Sequence, residues 1–332
     1  MKITVALVAC CLAEVSVGFV FKPPCEIQQH TCYDMSECPP GTQPLASLCL
    51  NDSLCCVGTP TPPPCGILVT PRVLNGDPDS AVENPWLVKV IDNGTGELVC
   101  GGVLIDMAWI AFDAYCATSC EKAGGCRVLM GNYDAAVEEP QEQQRNLAAV
   151  HLHPDVLFKT ADQYDTFFNT NPEAVLINNV AIAQLSAPIT PSDRINRVCP
   201  PSDVYNVFRS PRNCKVAGFG YTDQAETTNP QVSGVRQVVD AVIIDDRTCE
   251  HIRGTPQPPT THCGVLTKTD TGICRGDNGG ALVCQNDTSS FWTAEGIVSH
   301  YTNGNGACSD QLFIFTDIYG AWDWIQDTIN GV

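Results

Sequence analysis

Cys274-Arg-Gly-Asp-Asn-Gly-Gly-Ala-Leu-Val-Cys284 is the stretch on which the reading of this chain turns. It holds Asn278 in a glycine-rich loop between two cysteines, with Asp277 before it and Gly279 and Gly280 after it. Two other stretches are read with it, Asp113-Ala114-Tyr115-Cys116 and Asn178-Asn179-Val180-Ala181-Ile182. Outward from the loop, the chain beyond residue 73 runs in short β-branched segments separated by Gly, Pro, Asn and Asp. Leu87-Val-Lys-Val-Ile91, Gly102-Val-Leu-Ile105, Val216-Ala-Gly218 and Val238-Val-Asp-Ala-Val-Ile-Ile244 are strand candidates of this kind. Repeated short strands with turn signals predict an all-β barrel or sandwich. Tyr319 to Ile329 carries helix-like spacing instead.

Residues 1–18 read as a secretory signal peptide, with Lys2, an apolar stretch from Ile3 to Ala13, and a small-residue exit at Ser16-Val-Gly18. The alternative is a buried N-terminal strand. The run is too short to span a bilayer, and no later stretch reaches that length, so the mature protein is expected to be secreted with no membrane span. Cys10 and Cys11 leave with the peptide, and eighteen of the 20 cysteines remain, an even number suited to an oxidising compartment. Metal binding competes weakly as an explanation, because the 6 histidines are scattered and no Cys-x-x-Cys pair occurs. Asn51-Asp-Ser53, Asn93-Gly-Thr95 and Asn286-Asp-Thr288 are glycosylation sequons, with Asn51, Asn93 and Asn286 as acceptors. A net charge of -19 argues against nucleic acid or an anionic membrane as partner. It leaves open a solvated acidic surface or a basic protein partner docked on part of it.

Residues 25–56 form a cysteine-rich block: Cys25, Cys32, Cys38, Cys49, Cys55 and Cys56. So short a block buries little core and has to be held by disulfides, and six cysteines allow fifteen connectivities. Thr59-Pro-Thr-Pro-Pro-Pro64 then reads as an extended spacer within a linker over 57–72, ahead of a larger domain over 73–332.

The larger domain resembles the chymotrypsin-like serine proteases. The 274–284 stretch is similar to their Gly-Asp-Ser-Gly-Gly loop, with Asn278 in the serine position. Asp113-Ala114-Tyr115-Cys116 is similar to Ala-Ala-His-Cys, with Tyr115 for histidine. Asn178-Asn179-Val180-Ala181-Ile182 is similar to Asn-Asp-Ile-Ala-Leu, with Asn179 for aspartate. Further landmarks arrive in the family's order. They are Arg72-Val73-Leu-Asn-Gly76, Asn84-Pro-Trp86, Cys100-Gly-Gly-Val-Leu-Ile105, Cys214-Lys-Val-Ala-Gly-Phe-Gly220, Gly296-Ile-Val-Ser299 and Phe315-Thr-Asp-Ile-Tyr319. The resemblance implies a double β-barrel with a C-terminal helix and no catalysis, since all three triad positions are replaced. It implies a pocket floor at Gly272 without the aspartate of trypsin-like members. It implies a cleavage site at Arg72–Val73, whose new N-terminus would pair with Asp277; local backbone donors are the alternative partners of Asp277. It also implies the disulfides Cys100–Cys116, Cys214–Cys284, Cys249–Cys263, Cys274–Cys308 and Cys65–Cys199, leaving Cys120 and Cys126 to close a small loop. The segment from Gly131 through Asn132 to Glu138 and Glu139 resembles the family's calcium loop. There Asn132 removes a charged ligand, and an acidic solvated loop explains the same residues.

The cysteine block resembles the arthropod clip domain, whose pairing implies Cys25–Cys55, Cys32–Cys49 and Cys38–Cys56. The combination resembles the clip-domain serine protease homologs of arthropod haemolymph, non-catalytic cofactors of extracellular immune cascades. That resemblance implies no cofactor beyond calcium. It implies a role in prophenoloxidase activation and melanisation. The partners would be an active clip-domain serine protease and prophenoloxidase or another cascade zymogen, with oligomerisation after cleavage. Two alternatives stay open: adhesion or microbial recognition, and a decoy that sequesters cascade proteases.

Overall fold

The computed structural model describes residues 31–33, 43–45, 54–57, 65–67, 84–134, 137–170, 176–201, 213–220, 235–269, 271–274, 276–285, 291–299 and 311–332. The chain divides into two units, Met1–Pro64 and Cys65–Val332.

In the first unit, β1 (Thr31–Tyr33), β2 (Gln43–Leu45) and β3 (Leu54–Val57) form an antiparallel sheet in the order β1-β3-β2. The register sets Cys32 across from Cys55 and Pro44 across from Cys56. Cys25, Cys38 and Cys49, and with them the expected clip pairings, lie outside the described residues, as does the expected signal peptide.

The second unit is the expected pair of barrels. β4 (Leu87–Asp92), β5 (Leu98–Asp106), β6 (Trp109–Phe112), β7 (Cys126–Met130), β8 (Gln143–Leu152) and β9 (Ala181–Leu185) close one antiparallel barrel, in the order β4-β5-β6-β9-β8-β7. β10 (Asn213–Gly218), β11 (Gln237–Ile244), β12 (Thr261–Leu266), β13 (Ala281–Gln285), β14 (Trp292–Ser299) and β15 (Leu312–Asp317) close the other, in the order β10-β11-β12-β15-β14-β13. Closure leaves no sheet edge to pair with another chain. The burial of each strand follows its place. β6 is buried throughout, because both of its faces are covered, whereas β8 alternates between half-buried and exposed residues as a strand with one solvated face does.

Among the described residues four helices accompany the strands: α1 (Ala114–Lys122), α2 (Ala161–Thr170), α3 (Asp246–Arg253) and α4 (Trp322–Asn330). The helix expected from Tyr319 begins three residues later, because Asp317 accepts the backbone N–H groups of Tyr319 and Gly320 and holds them in a turn. α4 follows the second barrel but packs Ile325 into the core of the first, with Trp324 edge-on to His153 at 4.9 Å. Disulfides join Cys65 to Cys199, Cys100 to Cys116, Cys120 to Cys126, Cys214 to Cys284 and Cys249 to Cys263. Cys274 is disulfide-bonded too, and its expected partner Cys308 lies outside the described residues.

Candidate functional site

The site lies where α1, the turn before β9 and the loop before β13 meet. Asp113 caps α1: its backbone is extended and its Oδ1 accepts the N–H of Cys116 at 2.7 Å. That cap starts the helix one residue before Tyr115 and directs Cys116 to Cys100 on β5. The Tyr115 ring stacks on Tyr164 of α2 with centroids 4.0 Å apart, and Phe158 meets Tyr164 edge-on. Burial pushes the Tyr164 hydroxyl well above the ordinary tyrosine range.

Asn178, at φ 50°, turns the chain into Asn179, whose side chain is fully buried. Asn179 Oδ1 accepts the Ala114 N–H at 3.1 Å, and Nδ2 donates to Asp113 Oδ2 at 3.4 Å and to Ser299 Oγ at 3.2 Å. Ser299 is in turn bonded to Thr316. The carboxylate in this network is therefore Asp113, on the far side of the Asn179 amide. Burial raises the Asp113 carboxyl to about 7, against the hydrogen bonds from Cys116 and Asn179. Asp113 thus has a structural role beyond its place in the Asp113-Ala114-Tyr115-Cys116 motif. The signal was available, since an acidic residue immediately before a helical segment is an N-cap candidate.

Asn278 sits in a loop shaped by positive φ at Gly276 (93°) and Gly279 (78°). Its carbonyl accepts the N–H of Gly101 at 2.7 Å, tying the loop to β5, while Gly279 donates to Val298 on β14. Its side chain is 5% exposed, and Oδ1 has no hydrogen-bond partner among the described residues. Asn278, Tyr115, Tyr164 and Gly276 line one wall of a cleft of about 290 Å³, and the β4–β5 hairpin forms the other wall. Tyr115, Asn179 and Asn278 are thus gathered around one place, Asn179 beneath it and the other two facing the cleft. His151, exposed, is the last residue but one of β8, and His153 follows that strand under Trp324; neither joins the site. Gly272 lies half-buried on the approach to Cys274.

Asp277 points away from the cleft. Its Oδ1 accepts the N–H of Gly220 at 2.8 Å and its Oδ2 that of Cys274 at 3.0 Å. Part of the residue reaches the surface, but the carboxylate is shut in: a Cβ on Gly218 or Gly220 would collide with it. Burial accordingly raises its pKa to about 6, opposed by those two N–H groups. Local backbone donors, Gly220 and Cys274, are thus the partners in place. Arg72 and Val73 lie outside the described residues.

Asn132, Glu138 and Glu139 are not assembled into an oxygen cage. Lys89, from the middle of β4, donates its ammonium to Asn132 Oδ1 and lies 3.8 Å from the Phe219 ring centre. Glu139 pairs with Arg194, Glu142 accepts from the Asn132 amide, and Glu138 is exposed. Burial lowers Lys89 to about 8, against the carboxylates of Glu142, Asp134 and Glu139, which raise it. The loop carries its own cation, and no cluster of three or more metal-ligating side chains occurs among the described residues. Lys89 interrupts the apolar run Leu87–Ile91, which is the mark it leaves in the sequence. Of the three sequon acceptors, Asn93 stands exposed in the β4–β5 turn, and Asn51 and Asn286 lie outside the described residues.

Two six-stranded antiparallel barrels with a C-terminal helix, meeting at a Cys-bounded Gly-Asp-Asn-Gly-Gly loop, define the chymotrypsin-like class. Residues 73–325 match the family model described as Trypsin, and the chain belongs to that family. It is 25% identical over 268 residues to vitamin K-dependent protein C of Oryctolagus cuniculus, covering 79% of this chain and 53% of that protein. The chain therefore spans about half the length of the curated relative it matches. No helix among the described residues is long and apolar enough to cross a membrane, and the disulfides fit an oxidising, extracellular setting.

Proposed function

We propose that this protein is a non-catalytic regulator of an extracellular serine protease cascade. One observation carries the reading: the frame of the site is intact and hydrogen-bonded while each reacting position holds Tyr115, Asn179 or Asn278. Acyl transfer in this fold needs a hydroxyl nucleophile, an imidazole that takes its proton, and a carboxylate that fixes the imidazole tautomer. Asn278 offers an amide with neither basicity nor useful nucleophilicity. The Tyr115 phenol has no basic ring nitrogen with which to take and return the nucleophile's proton as an imidazole does. Asn179 is neutral and already bonded to Ala114, Asp113 and Ser299. Loss of one triad member costs on the order of 10⁴-fold in related enzymes.

The finer reading is a secreted clip-domain serine protease homolog of arthropod innate immunity, acting in haemolymph. It has a signal peptide over 1–18, a clip domain over 25–56 stapled by Cys25–Cys55, Cys32–Cys49 and Cys38–Cys56, a linker over 57–72, and the protease-like domain from 73. An active clip protease cleaves Arg72–Val73, and the product brings that protease together with prophenoloxidase or another zymogen. The raised pKa of Asp277 supports the switch, because an arriving ammonium would stabilise a carboxylate that burial disfavours. The test is a reconstituted prophenoloxidase activation assay with intact chain and with chain cut at Arg72–Val73. Promotion by the cut form alone is expected. No promotion, suppression of the activating protease, or labelling of the chain by a serine-directed phosphonate would overturn the proposal.

A further inference from the structure

We infer that the pocket between α1 and β8 is a docking site for a segment of a partner protein, one that presents a large apolar side chain flanked by arginine or lysine. The inference rests on the regulator reading and names a surface by which that regulator holds a partner. The pocket encloses about 370 Å³ and lies on the flank of α1 turned away from the Asn278 cleft. Helical spacing keeps the two apart: Tyr115 and Ser119 line the cleft, whereas Ala117 and Glu121 line the pocket. The opposite wall is β8, which contributes Leu147, Val150 and Leu152. Val150 is 41% exposed and the two leucines are half-buried, so this is apolar surface that none of the described residues covers. The loop closed by the Cys120–Cys126 disulfide borders the pocket and turns through Gly124 and Gly125 at φ 80° and 123°, so that part of the rim carries no side chain. A space of this size takes one aromatic or branched aliphatic side chain, the kind of anchor that carries most of the energy of a protein interface.

An apolar pocket alone does not name its occupant, but the charge around it does. Of the described residues that line the pocket, Glu121 alone is charged; it is exposed, and no cation pairs with it among the described residues. Glu121 also lines an adjoining hollow of about 240 Å³, together with Lys122 and Asp162. The Lys122 ammonium there is already shared, by Asp162 at 3.0 Å and Asp165 at 3.4 Å. Glu121, Asp162 and Asp165 thus set three carboxylates against one ammonium beside the pocket, in a chain of net charge -19. Such a rim repels an acidic segment and draws in a basic one, and it fixes which way round the apolar anchor enters.

The test uses the full chain after enzymatic deglycosylation, because the Asn93 amide stands against Gly125 at the rim. The probe is a library of capped heptapeptides randomised at every position, selected on the immobilised protein and then titrated singly by fluorescence anisotropy. An aromatic residue, leucine or isoleucine is expected to dominate one position, with arginine or lysine close to it in sequence and binding that weakens as salt is raised. Val150→Asp, which brings a charge to the apolar wall from an exposed position, should weaken the selected peptide by about tenfold or more. Glu121→Gln should cost about five-fold, the upper weight of a single exposed ion pair, and leave a version with a neutral residue in place of the cation unchanged. Glu97→Gln, in the wall of the Asn278 cleft, should change neither. Selection of acidic residues, no selection at any position, or binding that responds to Glu97→Gln and not to Val150→Asp or Glu121→Gln overturns the inference. Promotion of the cascade that survives Val150→Asp also overturns it, and leaves the regulator reading standing. Peptide binding at this pocket without promotion does the reverse.

Discussion

Replacing Asp113 by asparagine should stabilise this protein at pH 8 and do little for it at pH 5. Asp113 is fully buried, and its carboxyl is raised from an ordinary value of 3.8 to about 7. Between those values the folded state holds a proton that the unfolded chain has released. Stability therefore falls as pH rises from about 4 to about 7, and is level above that. Three units correspond to roughly 4 kcal/mol over the whole window, of which about 2–3 kcal/mol falls between pH 5 and pH 8. Asparagine keeps the cap on Cys116 and carries no charge, but it sets one amide N–H group against another at Asn179, at a cost of about 1 kcal/mol. The variant should thus gain about 2–3 kcal/mol relative to the parent between pH 5 and pH 8. Other titrating groups cancel in that comparison. Denaturant titration under non-reducing conditions, followed by tryptophan fluorescence, measures it, and the 5 tryptophans all lie between Trp86 and Trp324, so the signal reports the barrels. An identical difference at both pH values would refute the reasoning and mean that the Asp113 charge is already compensated in the fold.

Gly218→Ala should lower stability by about 1–3 kcal/mol, because the new methyl meets the Asp277 carboxylate, and Asp277→Gly should restore most of it in a double-mutant cycle. Lys89, lowered from 10.5 to about 8, makes the unfolded chain bind more protons between those values, so stability should rise with pH from about 8 to 10.5. Lys89→Met should abolish that rise in thermal melts. Calcium should leave the melting temperature of the parent unchanged but raise that of Lys89→Ala, in which Asn132 and Glu142 lose the ammonium that neutralises their loop.

The barrels were legible because each strand carries its own signal. Leu87–Ile91 and Val238–Ile244 are β-branched runs, and they appear within β4 and β11. α1 and α2 were not read, and their sequences show why: α1 has no clear apolar face, and α2 mixes Phe167 and Phe168 with Asp162 and Asp165. Tertiary packing makes them helices, α1 through its cap and its disulfide to Cys100, and α2 through Tyr164 against Tyr115. At the site, the positions of Tyr115, Asn179 and Asn278 could be found from short motifs. The partners of the Asn179 side chain could not, because its hydrogen bonds join segments separated by 65 to 120 residues. Lys89, which reaches the calcium-like loop from β4, is a case of the same kind, 43 residues from Asn132.

The relation between Asp113 and Asn179 bears on whether activity can be restored. A triple reversion, Tyr115→His, Asn179→Asp and Asn278→Ser, rebuilds the three groups that the chemistry needs. It also puts a carboxylate where the Asn179 amide stood, 3.4 Å from the carboxylate of Asp113 and equally buried. Two such groups cannot both ionise near neutral pH; they share a proton, and the new aspartate is held partly neutral when it should be fixing the imidazole. Its own partner at Ser299 is kept, but the charge that the imidazolium requires is not. Adding Asp113→Ser removes the competitor while retaining an oxygen to cap Cys116. The fourfold variant should react with a serine-directed phosphonate at pH 7.5 at least tenfold faster than the triple variant, with the gap narrowing as pH rises above the pair's upper titration. Equal labelling rates at every pH would show that Asp113 does not act on position 179, and that its place in the network is that of a helix cap alone.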